Sequence, residues 1–301
     1  MALARLRRAP PPQSRLPAPA AVGATGIAES GQPSLEVMLR LLNARTGALA
    51  DVRPDRSGLL RVWAQLREEN PDPDIAALRV LLMADLLVRI GELGGLQVLT
   101  AVVFPDEPSA QHSFAERAAG RLGMHPAAIR ARSAEAEVSL GGPAHVRIIG
   151  PDDGLDDELG TLVARAGAVS VTRSAQILAS DEMLGGDDAL AVRFALMSFL
   201  HDQSAGLDDS ALARADQTMR CWRLRVAEWA ESPSRPIPER VRSEVRAAFS
   251  YLDTARVLGM IGELADDPSL EPGAKFETFA FADRIVALDL ARDVGRPRER
   301  S

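Results

Sequence analysis

Four histidines, one cysteine and one lysine are what this chain of 301 residues offers for metal binding, imidazole acid–base work or ammonium chemistry. His112, His125, His145 and His201 lie far apart, and none stands three or four residues from another or from Cys221. No zinc-binding helix or finger is therefore spelled out. All four are read as surface or satisfied core residues. Cys221, next to Trp222, is read as a packed apolar residue, and a lone cysteine excludes an intramolecular disulfide or a multi-cysteine metal site. Lys275 confines any lysine-dependent step to its own surroundings. The acidic run Asp152, Asp153, Asp156, Asp157, Glu158 lacks the Asx spacing and glycine of a calcium loop, so it reads as a solvated loop and helix start. Arginine is left in quantity. Arg235, Arg240, Arg242 and Arg246 form one cluster and Arg292, Arg296, Arg298 and Arg300 another, and guanidinium groups suit phosphate. Glu239 and Glu244 interleave the first cluster in the manner of a salt-bridged helix, whereas only Asp293 and Glu299 offset the second.

The elements that must position such groups are clearest between residues 59 and 104. LLRVW (59–63) suits a short strand, and Pro71 and Pro73 hold the next loop extended. From Ala76 the apolar residues Leu78, Leu81, Leu82, Leu86 and Ile90 recur at helical spacing until Gly94-Gly95. Residues 96–104 are the apolar, β-branched run of a buried parallel strand. Strand, helix and strand make a βαβ unit of Rossmann type, whose ligands sit in the loop after the first strand, here 64–74.

Around this unit, residues 1–33 form a Pro/Ala/Arg-rich tail with no acid before Glu29. It reads as disordered, its acid-poor composition also being that of a transit peptide. Residues 34–50 hold a strand and a turn at 43–47. Residues 114–122 and 126–137 read as short helices, 144–149 as a strand, and 159–166 and 168–172 as further apolar pieces. From 187 the pattern becomes helical, with helices over 187–201, from an Asp208 cap to about Trp229, over 238–266 and over 274–290. Trp222 and Trp229, seven apart, mark a bundle seam. The expected architecture is α/β: a reduced Rossmann-like domain over 34–184, an α-helical bundle over 185–291 and a basic tail over 292–301. No apolar window is long enough to span a membrane, and a net charge of -7 argues against nonspecific nucleic-acid or membrane binding by the whole protein, so a cytoplasmic location is expected.

Several stretches in order resemble cysteinyl-tRNA synthetase and its relative, the cysteine–aminosugar ligase of the mycothiol pathway, both class I nucleotidyl-transferring enzymes. They are LRLLNARTGALADVRPDRSGLLRVW (39–63), DIAALRVLLMADLLVRIGELGGLQVLTAV, ILASDEMLGGDDALAVRFALMSF and GAKFETFAFADRIVALDLARDVGRPR. The resemblance implies a class I Rossmann domain, ATP as cofactor and tRNA as partner. It departs from the family at the chemistry. The first signature, His-Ile-Gly-His or His-Ile-Gly-Asn, aligns with Asp74-Ile75-Ala76-Ala77, which places a negative charge where phosphates sit and a Cβ where glycine allowed close approach. The second, Lys-Met-Ser-Lys-Ser, aligns with Ala168-Val169-Ser170-Val171-Thr172, so both phosphate-neutralising lysines are missing. Arg173, one residue on, is the only stand-in. The first zinc-binding cysteine aligns with Ala64, so no zinc is expected, and about 40 residues between Phe104 and His145 leave no room for the family's long insertion.

These departures imply a shortened, non-catalytic synthetase-like protein that acts by binding ATP, tRNA or a partner protein. Two alternatives stand beside it: an active ATP-dependent cysteine ligase with a rebuilt site, and a protein-interaction module that binds neither ATP nor RNA.

Overall fold

Asn43 and Gly47 bend the chain near its first strands. Asn43 Oδ1 accepts the Arg45 N–H at 3.0 Å, the Gly47 N–H returns to the Asn43 carbonyl at 2.9 Å, and Gly47 takes the left-handed φ of 66° that glycine tolerates. In the computed structural model, which describes residues 39–55, 57–66, 75–104, 114–155, 161–172 and 189–296, this turn joins antiparallel strands β1 (Arg40–Asn43) and β2 (Ala48–Asp51). The Ala44 N–H reaches the Val163 carbonyl at 2.7 Å and ties the hairpin to the main sheet.

That sheet has five parallel strands: β3 (Leu59–Gln65), β4 (Gln97–Phe104), β5 (Ile129–Arg132), β6 (Val146–Ile149) and β7 (Leu162–Arg165). Their order is β5-β4-β3-β6-β7. Numbered within the sheet this is 3-2-1-4-5, the Rossmann order, and the fold is α/β. The expected pairing of the first strand with the apolar run after the glycines is present, Leu59 opposite Gln97 through Gln65 opposite Val103. Alternation along β3 turns Leu60, Val62 and Ala64 to one face and Trp63 to the other, so both faces are buried.

The first face is covered by α1 (Ile75–Leu93), and α2 (Phe114–Arg121) packs against α1. The expected stripe of Leu78, Leu81, Leu82, Leu86 and Ile90 is buried, and so are most of the other residues of α1. The reason is position: α1 lies between the sheet and a C-terminal helix, and a helix enclosed on all sides is apolar all round. The second face carries the smaller α3 (Ala136–Leu140), which packs on β4 and β5 beside Trp63.

A two-stranded parallel sheet follows, β8 (Val169–Val171) with β9 (Ala205–Leu207), and around it α4 (Leu190–Met197), α5 (Asp209–Trp229), α6 (Glu239–Ser250), α7 (Thr254–Asp266) and α8 (Pro272–Val286). Asp208 caps α5 by accepting the Ala211 N–H at 2.7 Å. Trp222 and Trp229 do share a seam: both rings meet Phe279 of α8, at 5.5 and 5.1 Å between centroids. The described residues belong to one compact unit, and among them no helix is long and apolar enough to cross a membrane.

Three sequence expectations need correction. Residues 126–137, read as a helix, hold edge strand β5, a short 3-10 turn and only the start of α3. Four residues are too few to show a strand period, and pairing with β4 outweighs local propensity there. Residues 238–266 are two helices, broken where Leu252 adopts φ 52° while fully buried. Cys221 is exposed: its neighbour Trp222 faces the core, and one residue along a helix turns the side chain about 100° away.

Candidate functional site

An open parallel sheet places ligands outside the carboxyl ends of its strands, where the strand order reverses. Here that point lies between β3 and β6. Gln65 and Leu66 close β3, Gly150 to Asp153 follow β6, and Ala76, Ala77 and Val80 from the start of α1 complete a hollow of about 100 Å³. A second hollow of about 410 Å³ shares Gln65 and Asp153 with it and adds Trp63, Ser133, Arg147, Ile149 and Gly154.

The walls are held by their own bonds. Gln65 Oε1 accepts the Trp63 indole N–H at 2.8 Å, and its amide donates to the Leu66 and Val103 carbonyls at 3.1 and 3.3 Å. Across the crevice the Gly150 N–H donates to Asp153 Oδ2 at 2.6 Å, and one Arg165 nitrogen reaches the carbonyls of Gly150, Pro151 and Asp153 at 2.8–2.9 Å. The Arg147 guanidinium lies 3.9 Å above the Trp63 ring, a close cation–π contact. Among the described lining residues there is one guanidinium, there are two carboxylates, Asp152 and Asp153, and there is neither imidazole nor lysine.

The two aligned signatures do not meet in this crevice. Ala76 and Ala77 line it, and Ile75 starts α1, but Ala168 to Thr172 belong to β8 and its flanks, where Ser170 pairs with Gly206 and its hydroxyl donates to the Ala205 carbonyl at 3.4 Å. Asp74 and Arg173 lie outside the described residues. Ala64, aligned with the zinc-site cysteine, is fully buried in the core, and no three His, Cys, Asp or Glu side chains converge among the described residues.

Four of the six described arginines among those proposed to contact phosphate are engaged by carboxylates. Arg235 pairs with Glu271 at 2.8 Å, Arg242 with Glu239 at 4.0 Å, Arg292 with Asp289 at 2.8 Å and Arg296 with Asp293 at 3.3 Å. Arg246 lies over the Phe281 ring and Arg240 is exposed, while Arg298 and Arg300 fall outside the described residues. Lys275 is buried, with Nζ donating to the Ala265 carbonyl at 2.9 Å.

A polar cluster that sequence reading missed lies on α1. Asp85 is buried and accepts from Arg193 at 2.6 Å, from Arg89 at 2.9 Å, and from the backbone N–H of His125 at 2.9 Å, with His125 Nδ1 at 2.8 Å. Arg193, fully buried on α4, also donates to the Val286 and Leu122 carbonyls at 2.6 and 3.2 Å. Burial pushes the Asp85 carboxyl upward, but its two arginines and the His125 N–H outweigh it and hold it below the ordinary carboxylate range. Nearby, Arg79 bonds the carbonyls of Leu200 and Gln203, and burial lowers its pKa to about 10, so it stays charged at neutral pH. The signal was present: charges inside VLLMADLL and LAVRFALM have nowhere to go unless they pair.

Two histidines carry a pH prediction. Burial lowers the pKa of His201, with Asp202 and Asp253 opposing and Arg79 assisting, and burial then Arg61 lower that of His145, against Asp55. His145 Nδ1 accepts the Arg61 backbone N–H at 2.9 Å, which only an unprotonated nitrogen does. A depressed folded value means stability is complete above the unfolded pKa of about 6.5 and is lost as pH falls through the folded values. Urea midpoints are therefore expected to fall between pH 7.5 and 5, and a His201→Leu variant to show a shallower fall; a flat profile in the parent protein would contradict this.

Comparison with protein-family models finds no match for this chain, and comparison with curated proteins finds none either.

Proposed function

We propose that this chain is a cysteinyl-tRNA-synthetase-like protein that acts by binding and has given up catalysis, with a class I Rossmann-like half and a helical-bundle half. What carries the reading is the switch-point crevice. Residues aligned with the first signature line it as Ala76 and Ala77, and Asp152 and Asp153 face it from β6 where a nucleotide enzyme needs positive charge. Such a crevice repels a triphosphate but accommodates a ligand with one phosphate-like linkage or none.

The test is a thermal-unfolding screen of the full chain with ATP, cysteine, a sulfamoyl analogue of cysteinyl-adenylate and tRNA. A ligand at 100 times its Kd stabilises by about 2.7 kcal/mol, and in a chain of this size that is a rise of roughly 5–10 °C. The expected result is a rise with the adenylate analogue and none with ATP. No rise with any of the four overturns the reading in favour of a protein-interaction module. The ion-paired arginines favour that second reading over tRNA binding, because a guanidinium already neutralised by a carboxylate releases few counterions from RNA. A cytoplasmic site of action fits either reading.

A further inference from the structure

A third concavity lies away from the carboxyl edge of the sheet, between α1, α2 and β4, with a volume of about 490 Å³. Its walls are mainly apolar: Leu81, Ala84 and Val88 from α1, Val102 from β4, and Ala119 and Met124 from α2 and its exit. That size and lining are those of a site for a small molecule.

Two polar groups of the wall stand out. Thr100 is only 7% exposed, and on β4 it shares the face of Val102, toward α1; its hydroxyl has no hydrogen-bond partner among the described residues. A buried hydroxyl left in that state is costly, so it is a strong attractor for a polar atom of a ligand. The other is His125. Asp85, paired with two arginines, is ionised and can only accept, so His125 Nδ1 carries the proton of their 2.8 Å bond. On the unprotonated ring Nε2 is then an acceptor, with no protein partner among the described residues. The side chain is 45% exposed, so solvent reaches the cavity wall there.

The charges of the wall fix the ligand's own charge. Asp85 is offset by Arg193 and Arg89, and Glu116 by Arg130 at 2.9 Å, whose guanidinium also lies over the Phe104 ring. An anion would meet two carboxylates whose cations are already engaged, and a cation would find both carboxylates already paired. We propose that this cavity binds a neutral, largely apolar molecule carrying hydroxyl groups, a phenol or alcohol, recognised by His125 Nε2 and the Thr100 hydroxyl. The proposal is independent of the synthetase-like reading, since no residue of the switch-point crevice takes part.

The test uses the full chain and three probes of one shape: 2-naphthol, naphthalene and 2-naphthoate, titrated calorimetrically. 2-Naphthol should bind one to one, and naphthalene and 2-naphthoate about threefold to tenfold more weakly, the worth of one hydrogen bond. Thr100→Val, which keeps shape and removes the orphaned hydroxyl, and His125→Ala should each weaken 2-naphthol and leave naphthalene unchanged. Ala119→Met, which fills the cavity, should abolish binding of both. Equal binding of 2-naphthol and naphthalene, indifference of 2-naphthol to both polar variants, or no binding of 2-naphthol to the parent protein would each overturn the proposal. Should Ala119→Met fail to fold, the Thr100→Val comparison decides alone.

Discussion

Replacing Arg193 with methionine is expected to destabilise the protein by about 3–5 kcal/mol, the usual result of stripping one partner from a buried ion pair. Four elements converge on this guanidinium. It bonds Asp85 on α1, the Leu122 carbonyl beyond α2 and the Val286 carbonyl at the end of α8, and it stands on α4 itself. Methionine fills much of the volume but takes the guanidinium donor from three carbonyls, those of Leu122, Ile285 and Val286, and from part of a carboxylate. Against a typical stability of roughly 5–15 kcal/mol, that loss is a large share of the total. Asp85→Leu should cost a similar amount, because it leaves a buried guanidinium uncompensated. The double variant should lose less than the sum, since neither charge is then left alone. Urea unfolding at neutral pH reads all three, and there the Asp85 contribution is complete, because a depressed carboxyl loses it only as pH falls through its folded value. A loss below about 1 kcal/mol for Arg193→Met would show that water or neighbouring groups replace the pair.

Cysteine-dependent exchange of pyrophosphate into ATP is expected to run at least about 10⁴-fold below a working synthetase, since each lost preorganised donor typically lowers a rate roughly 10²–10³-fold and several are lost together. Such groups act as a unit, so the losses need not multiply. No lysine can step in: Lys275, the only one, is buried against the Ala265 carbonyl and the Trp229 ring. The positions aligned with the two signatures lie apart as well, one at the mouth of the crevice and the other on β8. Clear exchange by the parent protein that disappears in Arg173→Ala would establish the rebuilt-ligase alternative instead.

Local patterns were enough for the βαβ unit, because each of its parts is stated by neighbours in sequence: strand-favouring residue types for β3, helical spacing for α1, paired glycines for its stop and a β-branched run for β4. The same holds for the turn at Asn43, the Asp208 cap and the Trp222–Trp229 seam. Elements that depend on distant partners were misread. Strand β5 exists through its ladder with β4, and the break at Leu252 through burial of a leucine in a left-handed conformation that no glycine or proline announces. The candidate sites divide in the same way. Sequence alone placed a loop after the first strand of the βαβ unit and determined that residues 64–77 carry no imidazole or lysine. Only the tertiary structure decided that Asp152 and Asp153 line one hollow with Gln65, Ala76 and Ala77, that Arg235, Arg242, Arg292 and Arg296 are ion-paired, and that Asp85 meets Arg193 from 108 residues away with His125 beside it. The reason is physical: periodicity records which side of an element is buried, whereas the partner of a buried charge is chosen by the packing of elements that are remote in the chain.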